Sequence, residues 1–224
     1  AFAGSGLVEI SIPESVKSIN GHIFANCTSL EKVSIAGSDV SISDYAFMGC
    51  TSLSSVEILG SISRIRSYAF SGCSSLRSFT ETDKAIFVEE AAFENCTNLQ
   101  TIVIPEGIRT ICGDAFSGCT SLSSVTIPDS VMSIGMSTFR GCRNLSAATI
   151  GSGCTHINNT AFQNCSELRI VKIYAETPPI LGTNVFYNNN DSEVIFVPSG
   201  SVETYKAASG WKDYASRIQA IPNS

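Results

Sequence analysis

Apolar side chains arrive along this chain in two short pulses per unit, and the whole pattern returns every 23 residues. The first pulse alternates, as in Leu30-x-x-Val33-x-Ile35 and Leu122-x-x-Val125-x-Ile127. Every second residue is apolar there, so one face of a short extended strand is buried. A turn follows, spelled Pro105-Glu106-Gly107 in one copy and Pro128-Asp129-Ser130 in the next. The second pulse, Val131 and Ile134 in that copy, returns the chain to the interior, and an Ala-Phe pair closes most units.

Three residue types hold the same register. Leucine recurs at Leu7, Leu30, Leu53, Leu76, Leu99, Leu122, Leu145 and Leu168, and cysteine at Cys27, Cys50, Cys73, Cys96, Cys119, Cys142 and Cys165. Phenylalanine follows at Phe24, Phe47, Phe70, Phe93, Phe116, Phe139 and Phe162, with Phe2 one residue out because the first copy is shorter. A fixed period in this range marks a solenoid, propeller or array. One unit is too small to bury its own apolar face, so stability comes from stacking on neighbours, about 4.8 Å per turn where strands pair. The predicted fold is a right-handed solenoid, with short parallel strands stacked in a curved sheet, about eight turns over residues 1–173. Residues 174–224 break the period. Thr177-Pro178-Pro179 interrupts the ladder, Val194-Ile195-Phe196-Val197 reads as a strand, and Ser201 to Ala208 reads as a short helix ended by Gly210. This segment is read as a C-terminal strand and helix cap, with Tyr205, Trp211 and Tyr214 covering the open end of the stack.

Composition narrows the function. The chain has 224 residues, 43% apolar and 15% charged, which suits one well-buried core. A net charge of -6 argues against a nucleic-acid partner, which needs concentrated Lys and Arg to displace counterions from phosphate. No run approaches the roughly 18 apolar residues of a membrane span, so no membrane insertion is expected. Ala1 to Leu7 lack the features of an export signal. Because the chain opens in the middle of a unit, an upstream portion carrying such a signal is expected. A monomer is expected, with end-to-end pairing through the open strand edges of residues 1–22 as the route to a dimer.

Chemistry is sparse. Nine cysteines and two histidines occur without a C-x-x-C pair, which lacks the ligand spacing of a zinc site. Seven of the cysteines share one column, near enough for a bridge but with nearly parallel Cβ vectors. They are read as small buried thiols, with at least one bridge as the alternative. Cys154 replaces the valine seen at Val131 and belongs to the core, whereas Cys112 shares a column with Ser43, Arg66, Glu89, Gly135 and Asn158 and is the candidate exposed thiol. His22 and His156 lie more than five repeats apart, and no G-x-S-x-G, Walker or G-x-G-x-x-G motif occurs. Neither catalysis nor a metal or cofactor is expected.

The positions that alternate with the core on the first strand form the outward face. They include Ser78, Thr80 and Thr82, then Thr101 and Val103, then Ser124 and Thr126, then Thr149, with the charged Lys32, Glu57 and Lys172 interspersed. Ser78, Thr80, Thr101, Val103, Ser124, Thr126, Thr149 and Lys172 make up the candidate ligand-binding face, since solenoids present ligands with a continuous sheet. A merely solvated β face rich in threonine has the same composition. Glu81 departs from the pattern, standing where Ile58, Ile104 and Ile127 are apolar. A local bulge over Thr80 to Glu90, with Lys84 as a partner for Glu81, is favoured over a functional acid. Six N-x-S/T matches, at Asn26, Asn95, Asn144, Asn158, Asn164 and Asn190, mostly follow from the repeat, where Asn before Cys suits a turn.

The unit A-F-x-G/N-C-T-x-L followed by V-x-I-P-x-S/G-V, written almost in full by Phe116-Ser117-Gly118-Cys119-Thr120-Ser121-Leu122, resembles the BspA-like leucine-rich repeats. The ending Val197-Pro198-Ser199-Gly200-Ser201 through Gly210-Trp211 is similar to the tail such proteins often carry. The resemblance covers nearly the whole chain. It implies a leucine-rich-repeat-type solenoid from a secreted or cell-surface protein of anaerobic, host-associated microbes, some of which bind host matrix proteins and mediate adhesion or coaggregation. It implies no catalytic residues and no named ligand, because function in such scaffolds lies in the variable surface positions. The expected function is a non-catalytic binding or adhesion module for a host or microbial protein or glycan. The alternative is a structural spacer that displays an upstream domain.

Overall fold

A computed structural model describes residues 1–79, 87–190 and 192–222, and over them the chain winds as a parallel-strand β-solenoid of about nine turns. Each turn contributes two short strands. The first row holds β1 (Glu9–Ile12), β3 (Lys32–Ile35), β5 (Ser55–Ile58), β7 (Ser78–Phe79), β9 (Thr101–Ile102), β11 (Ser124–Ile127), β13 (Ala147–Ile150), β15 (Ile170–Ile173) and β17 (Val194–Val197), with β18 (Ile218–Ala220) at the end. The second row holds β2 (Ser18–Ile19), β4 (Val40–Ile42), β6 (Ile62–Ile65), β8 (Phe87–Val88), β10 (Thr110–Ile111), β12 (Ser133–Ile134), β14 (His156–Ile157) and β16 (Ile180–Leu181).

Neighbouring strands pair in the register of the repeat, so Val125 lies beside Ala148, Ala148 beside Val171, and Val171 beside Ile195. Alternation then sends Val125 and Ile127 inward and Ser124 and Thr126 outward, as the period-two pattern requires. Among the described residues the first row divides into β1-β3-β5, β7-β9 and β11-β13-β15-β17-β18. Thr80, Glu81, Thr82 and Lys84 lie outside the described residues, and with them the expected bulge.

Inside, like side chains pile up in files. The leucines from Leu30 to Leu168 are fully buried. The phenylalanines stack from Phe2 through Phe162 to Phe186, with ring centroids 5.2 to 5.8 Å apart and planes within 14° of parallel. Phe79 fills a position held elsewhere by valine, isoleucine or alanine and meets Phe93 edge-on at 5.1 Å. The cysteine file is a ladder of donors. Each thiol from Cys27 to Cys165 donates to the phenylalanine carbonyl of the preceding turn, at 3.0 to 3.2 Å. Burial pushes the Cys50 thiol up to about 12 and raises Cys73, Cys96, Cys119, Cys142 and Cys165 well above the ordinary thiol value. Cys154 is buried as well, its thiol pushed up to about 11.

The residue before each of these cysteines is Asn or Gly because the backbone there is left-handed, with φ of 57° at Asn26 and Asn95 and 73° at Gly118. At two of the glycines packing demands the absence of a side chain. A β-carbon on Gly49 would collide with Asn26 Oδ1, and one on Gly118 with Asn95 Oδ1. The side chains of Asn26 and Asn95 are thus laid over the next turn.

Past Tyr174 the ladder carries on with one extra residue, since Ile170 pairs with Val194, and Phe186 stacks on Phe162 at 5.8 Å. Helix α1 (Val202–Ala207) and a 3-10 segment, Trp211–Arg217, then cross the end of the stack. Tyr205 and Trp211 are fully buried, donating to Ala175 O at 2.8 Å and Pro179 O at 2.7 Å, and Tyr214 stands edge-on to Phe186 at 5.5 Å. Strand β18 pairs with β17 and covers its edge.

Candidate functional site on the outward strand face

Two outward files run along the first row. Ser78 pairs with Thr101, and Ser124 follows 23 residues later, all exposed. In the second file Thr126 lies beside Thr149 and Thr149 beside Lys172. Thr126 is exposed, and Thr149 and Lys172 are half-buried. Val103, 59% exposed, stands just past β9 where the regular strand has ended. Thr80 lies outside the described residues. The candidate residues that are described therefore share one surface, and Thr126, Thr149 and Lys172 are immediate neighbours. At the other end of the face, Ser11 and Ser34 approach with hydroxyl oxygens 2.9 Å apart and Lys32 pairs with Glu57 at 3.3 Å.

The surface is hollowed along its border with the turns. One hollow is lined by Thr101, Val103, Glu106, Ser124, Thr126 and Pro128 among others. A second, sharing Glu106, Thr126 and Pro128, adds Asp129, Thr149, Gly151, Ser152 and Tyr174. A third begins at Ser152 and Tyr174 and continues past Thr155 and His156 to Ile180. Adjoining hollows share lining residues, Glu106, Thr126 and Pro128 between the first two and Ser152 and Tyr174 between the last two. Gly151 lines the second hollow and is itself buried, packed so closely on the preceding turn that a β-carbon would come 2.6 Å from Pro128 C and Asp129 N. Asp129 Oδ1 accepts a hydrogen bond from Ser152 N at 2.6 Å, which fixes the turn beneath.

Sequence reasoning missed Glu106, Asp129, Ser152 and Tyr174. The signal for Tyr174 was present, since it stands one step after the strand where earlier copies have Pro105, Pro128 and Gly151. Leu59 holds the same position and is 65% exposed, so a bulky side chain there marks the surface rather than the core.

The remaining titratable groups are dispersed. His22 stacks on Tyr45 at 4.7 Å and Tyr45 on Tyr68 at 5.0 Å, a second aromatic file on the turns, while His156 Nδ1 lies 2.9 Å from Thr155 Oγ1. Cys112 is half-buried, its thiol raised first by desolvation and then by Glu89 and Glu90. Among the described residues no group of three or more His, Cys, Asp or Glu is placed to hold a metal ion, and no helix is long and apolar enough to cross a membrane.

No curated protein matches the chain. Among solved structures, it is similar to a leucine-rich repeat protein of T. pallidum, at 27% identity over 82% of this chain and 78% of that one, with a TM-score of 0.55. A leucine-rich repeat protein of Bacteroides ovatus shares the fold at 22% identity, over 87% of this chain and 64% of that one, with a TM-score of 0.57. Residues 1–96 and 86–208 match the BspA type leucine-rich repeat region in six copies. With the 23-residue files of leucine, cysteine and phenylalanine in place, the chain belongs to the BspA-type leucine-rich repeat family.

Proposed function

We propose that this chain is a non-catalytic binding and adhesion module, secreted or displayed at a cell surface, that takes a host or microbial protein or glycan on its outward strand face. The observation that carries this reading is the outward file of exposed Thr126 with half-buried Thr149 and Lys172, beside adjoining hollows. The inward half of every strand is spent on stacking, so the outward half is what varies without cost to the fold. Ligand-binding sites carry a few convergent polar groups, and Glu106, Thr126, Asp129 and Thr149 line one shallow hollow together. Family membership adds weight, because proteins of this type are often associated with surface adhesion.

The test is binding to immobilised host matrix proteins, mucins and a glycan array, with Thr126→Arg and Thr149→Arg as face-blocking variants. Binding that both variants abolish, with unfolding midpoints unchanged, supports the proposal. Binding indifferent to both, or none to any surface, overturns it.

A further inference from the structure

His22, Tyr45 and Tyr68 hold one register position, between the second-row strand and the phenylalanine of each turn. Tyr45 and Tyr68 stack with ring centroids 5.0 Å apart and planes 5° from parallel, and His22 covers the other face of Tyr45 at 4.7 Å. Backbone bonds set that spacing, since Tyr45 N donates to Ser67 O at 3.0 Å and Tyr68 N to Glu90 O at 2.9 Å. The backbone is left-handed at all three residues, with φ of 56°, 60° and 59°. Side chains other than glycine seldom adopt that region. Further along the file the same position carries the smaller Ala91, Asp114, Ser137 and Thr160, so the rings stand where the backbone disfavours bulk.

A ligand held by ring stacking or by a cation needs an open aromatic face, but Tyr45 has a ring on each of its faces. What the file offers instead is two phenols in contact. Both tyrosines are half-buried, so water and small reagents reach them. The other four tyrosines are not paired in this way. Tyr205 packs on Trp211 and Tyr214 on Phe186, while Tyr174 and Tyr187 are exposed with no ring partner among the described residues. Two phenols held face to face in one chain favour coupling on one-electron oxidation, because neither radical has to find its partner by diffusion.

We propose that Tyr45 and Tyr68 form an oxidative cross-linking site, joined as dityrosine by peroxide acting through a haem peroxidase. Each phenol gives one electron and one proton to the oxidant. The two phenoxyl radicals then bond through ring carbons ortho to their oxygens, one ring rolling about its Cβ–Cγ bond to bring those carbons together. The hydrogens on these carbons pass through water to the oxygens as aromaticity returns. In sum, two phenols lose two hydrogen atoms and one peroxide becomes two waters. The new bond staples two adjoining turns, adding a covalent tie to a stack held by backbone bonds and packing. The site uses none of the residues of the outward strand face, so it stands or falls separately from the binding-module reading.

The experiment treats the dilute full chain with a haem peroxidase and limiting peroxide, and follows the blue fluorescence of the biaryl phenol in the band that migrates as monomer. Trypsin is expected to release residues 33–64 joined to residues 67–77, two hydrogen atoms lighter than the separate peptides. Tyr45→Phe and Tyr68→Phe keep the stacked rings and the unfolding midpoint, and each is expected to lower the monomer fluorescence by about tenfold or more. Tyr187→Phe removes a tyrosine that is 60% exposed, and is expected to leave the signal within about twofold, because exposure alone pairs no phenols. Monomer fluorescence that survives Tyr45→Phe or Tyr68→Phe overturns the site. Cross-links found only between Tyr174 or Tyr187 of separate chains, or no biaryl product at all, overturn it equally.

Discussion

The carbonyl oxygen of Phe93 accepts two hydrogen bonds, from Cys96 N within its own turn and from Cys119 Sγ one turn on, each at 3.2 Å. The pairing recurs along the file and explains why cysteine is kept there. A buried carbonyl has two lone pairs, and a small side chain with a weak donor reaches the second without admitting water. Cys119→Ala is therefore expected to cost about 1 to 2 kcal/mol, combining lost volume with a lost bond. Urea unfolding checks it, and a change below about 0.5 kcal/mol would show that the thiol merely occupies space.

Thiol chemistry separates the two kinds of cysteine. Cys112, half-buried and bonded to no carbonyl of the file, is expected to react first with a disulfide reagent under native conditions. The buried file should react only as the chain unfolds, since the thiolate is the nucleophile and burial disfavours it. Mass mapping that found Cys119 modified ahead of Cys112 would reverse this order.

At the other end of the unit, Leu122 is fully buried between copies of itself. Leu122→Ala should cost on the order of 2 to 5 kcal/mol, whereas Ser123→Ala, exposed beside it, should change stability by less than about 0.5 kcal/mol. Equal effects at the two sites would mean that the leucine file is not the core.

Gly118 joins backbone and packing in one residue, with a left-handed φ of 73° and the Asn95 amide laid over it. Gly118→Ala is expected to cost about 1 to 2 kcal/mol. Adding Asn95→Gly should recover part of that loss, because it removes the collision and leaves only the backbone strain. A double-mutant cycle measures the coupling, and strict additivity would separate the two residues.

The cap carries a pH dependence of its own. Glu193, wholly buried, lies 3.3 Å from Arg217, and its carboxyl is pushed up to about 7 by desolvation, with Arg217 and Asn189 opposing the shift. Unfolded, the group titrates near 4.5, so between about 4.5 and 7 the folded chain holds the extra proton. Stability should fall as pH rises through that window, by up to an order of 3 kcal/mol, and level off above it. Urea midpoints at pH 5 and pH 8 are expected to differ accordingly in the unaltered chain and to converge in Glu193→Gln.

Much of this was legible in the residues alone. Constant spacing fixes which side chains lie over one another, so the leucine, cysteine and phenylalanine files, the inward and outward halves of β11 and β13, and the cap residues Tyr205 and Trp211 could all be named before any coordinates. That His22, Tyr45 and Tyr68, spaced 23 residues apart like the other files, stack their rings on the turns could not be read from the apolar pattern alone. Nor could β18, whose Ile218-Gln219-Ala220 is too short to read as a strand without the edge of β17 beside it.

The period by itself determined the fold, the core and the direction in which each strand residue faces, since those depend only on distance along a chain that returns upon itself at a constant interval. Only the tertiary structure decided where the surface is concave. Glu106, Asp129 and Tyr174 belong to three different turns, and they line one hollow because stacking brings their turns side by side. A repeat dictates what stacks; the shape left outside depends on the side chains that depart from it.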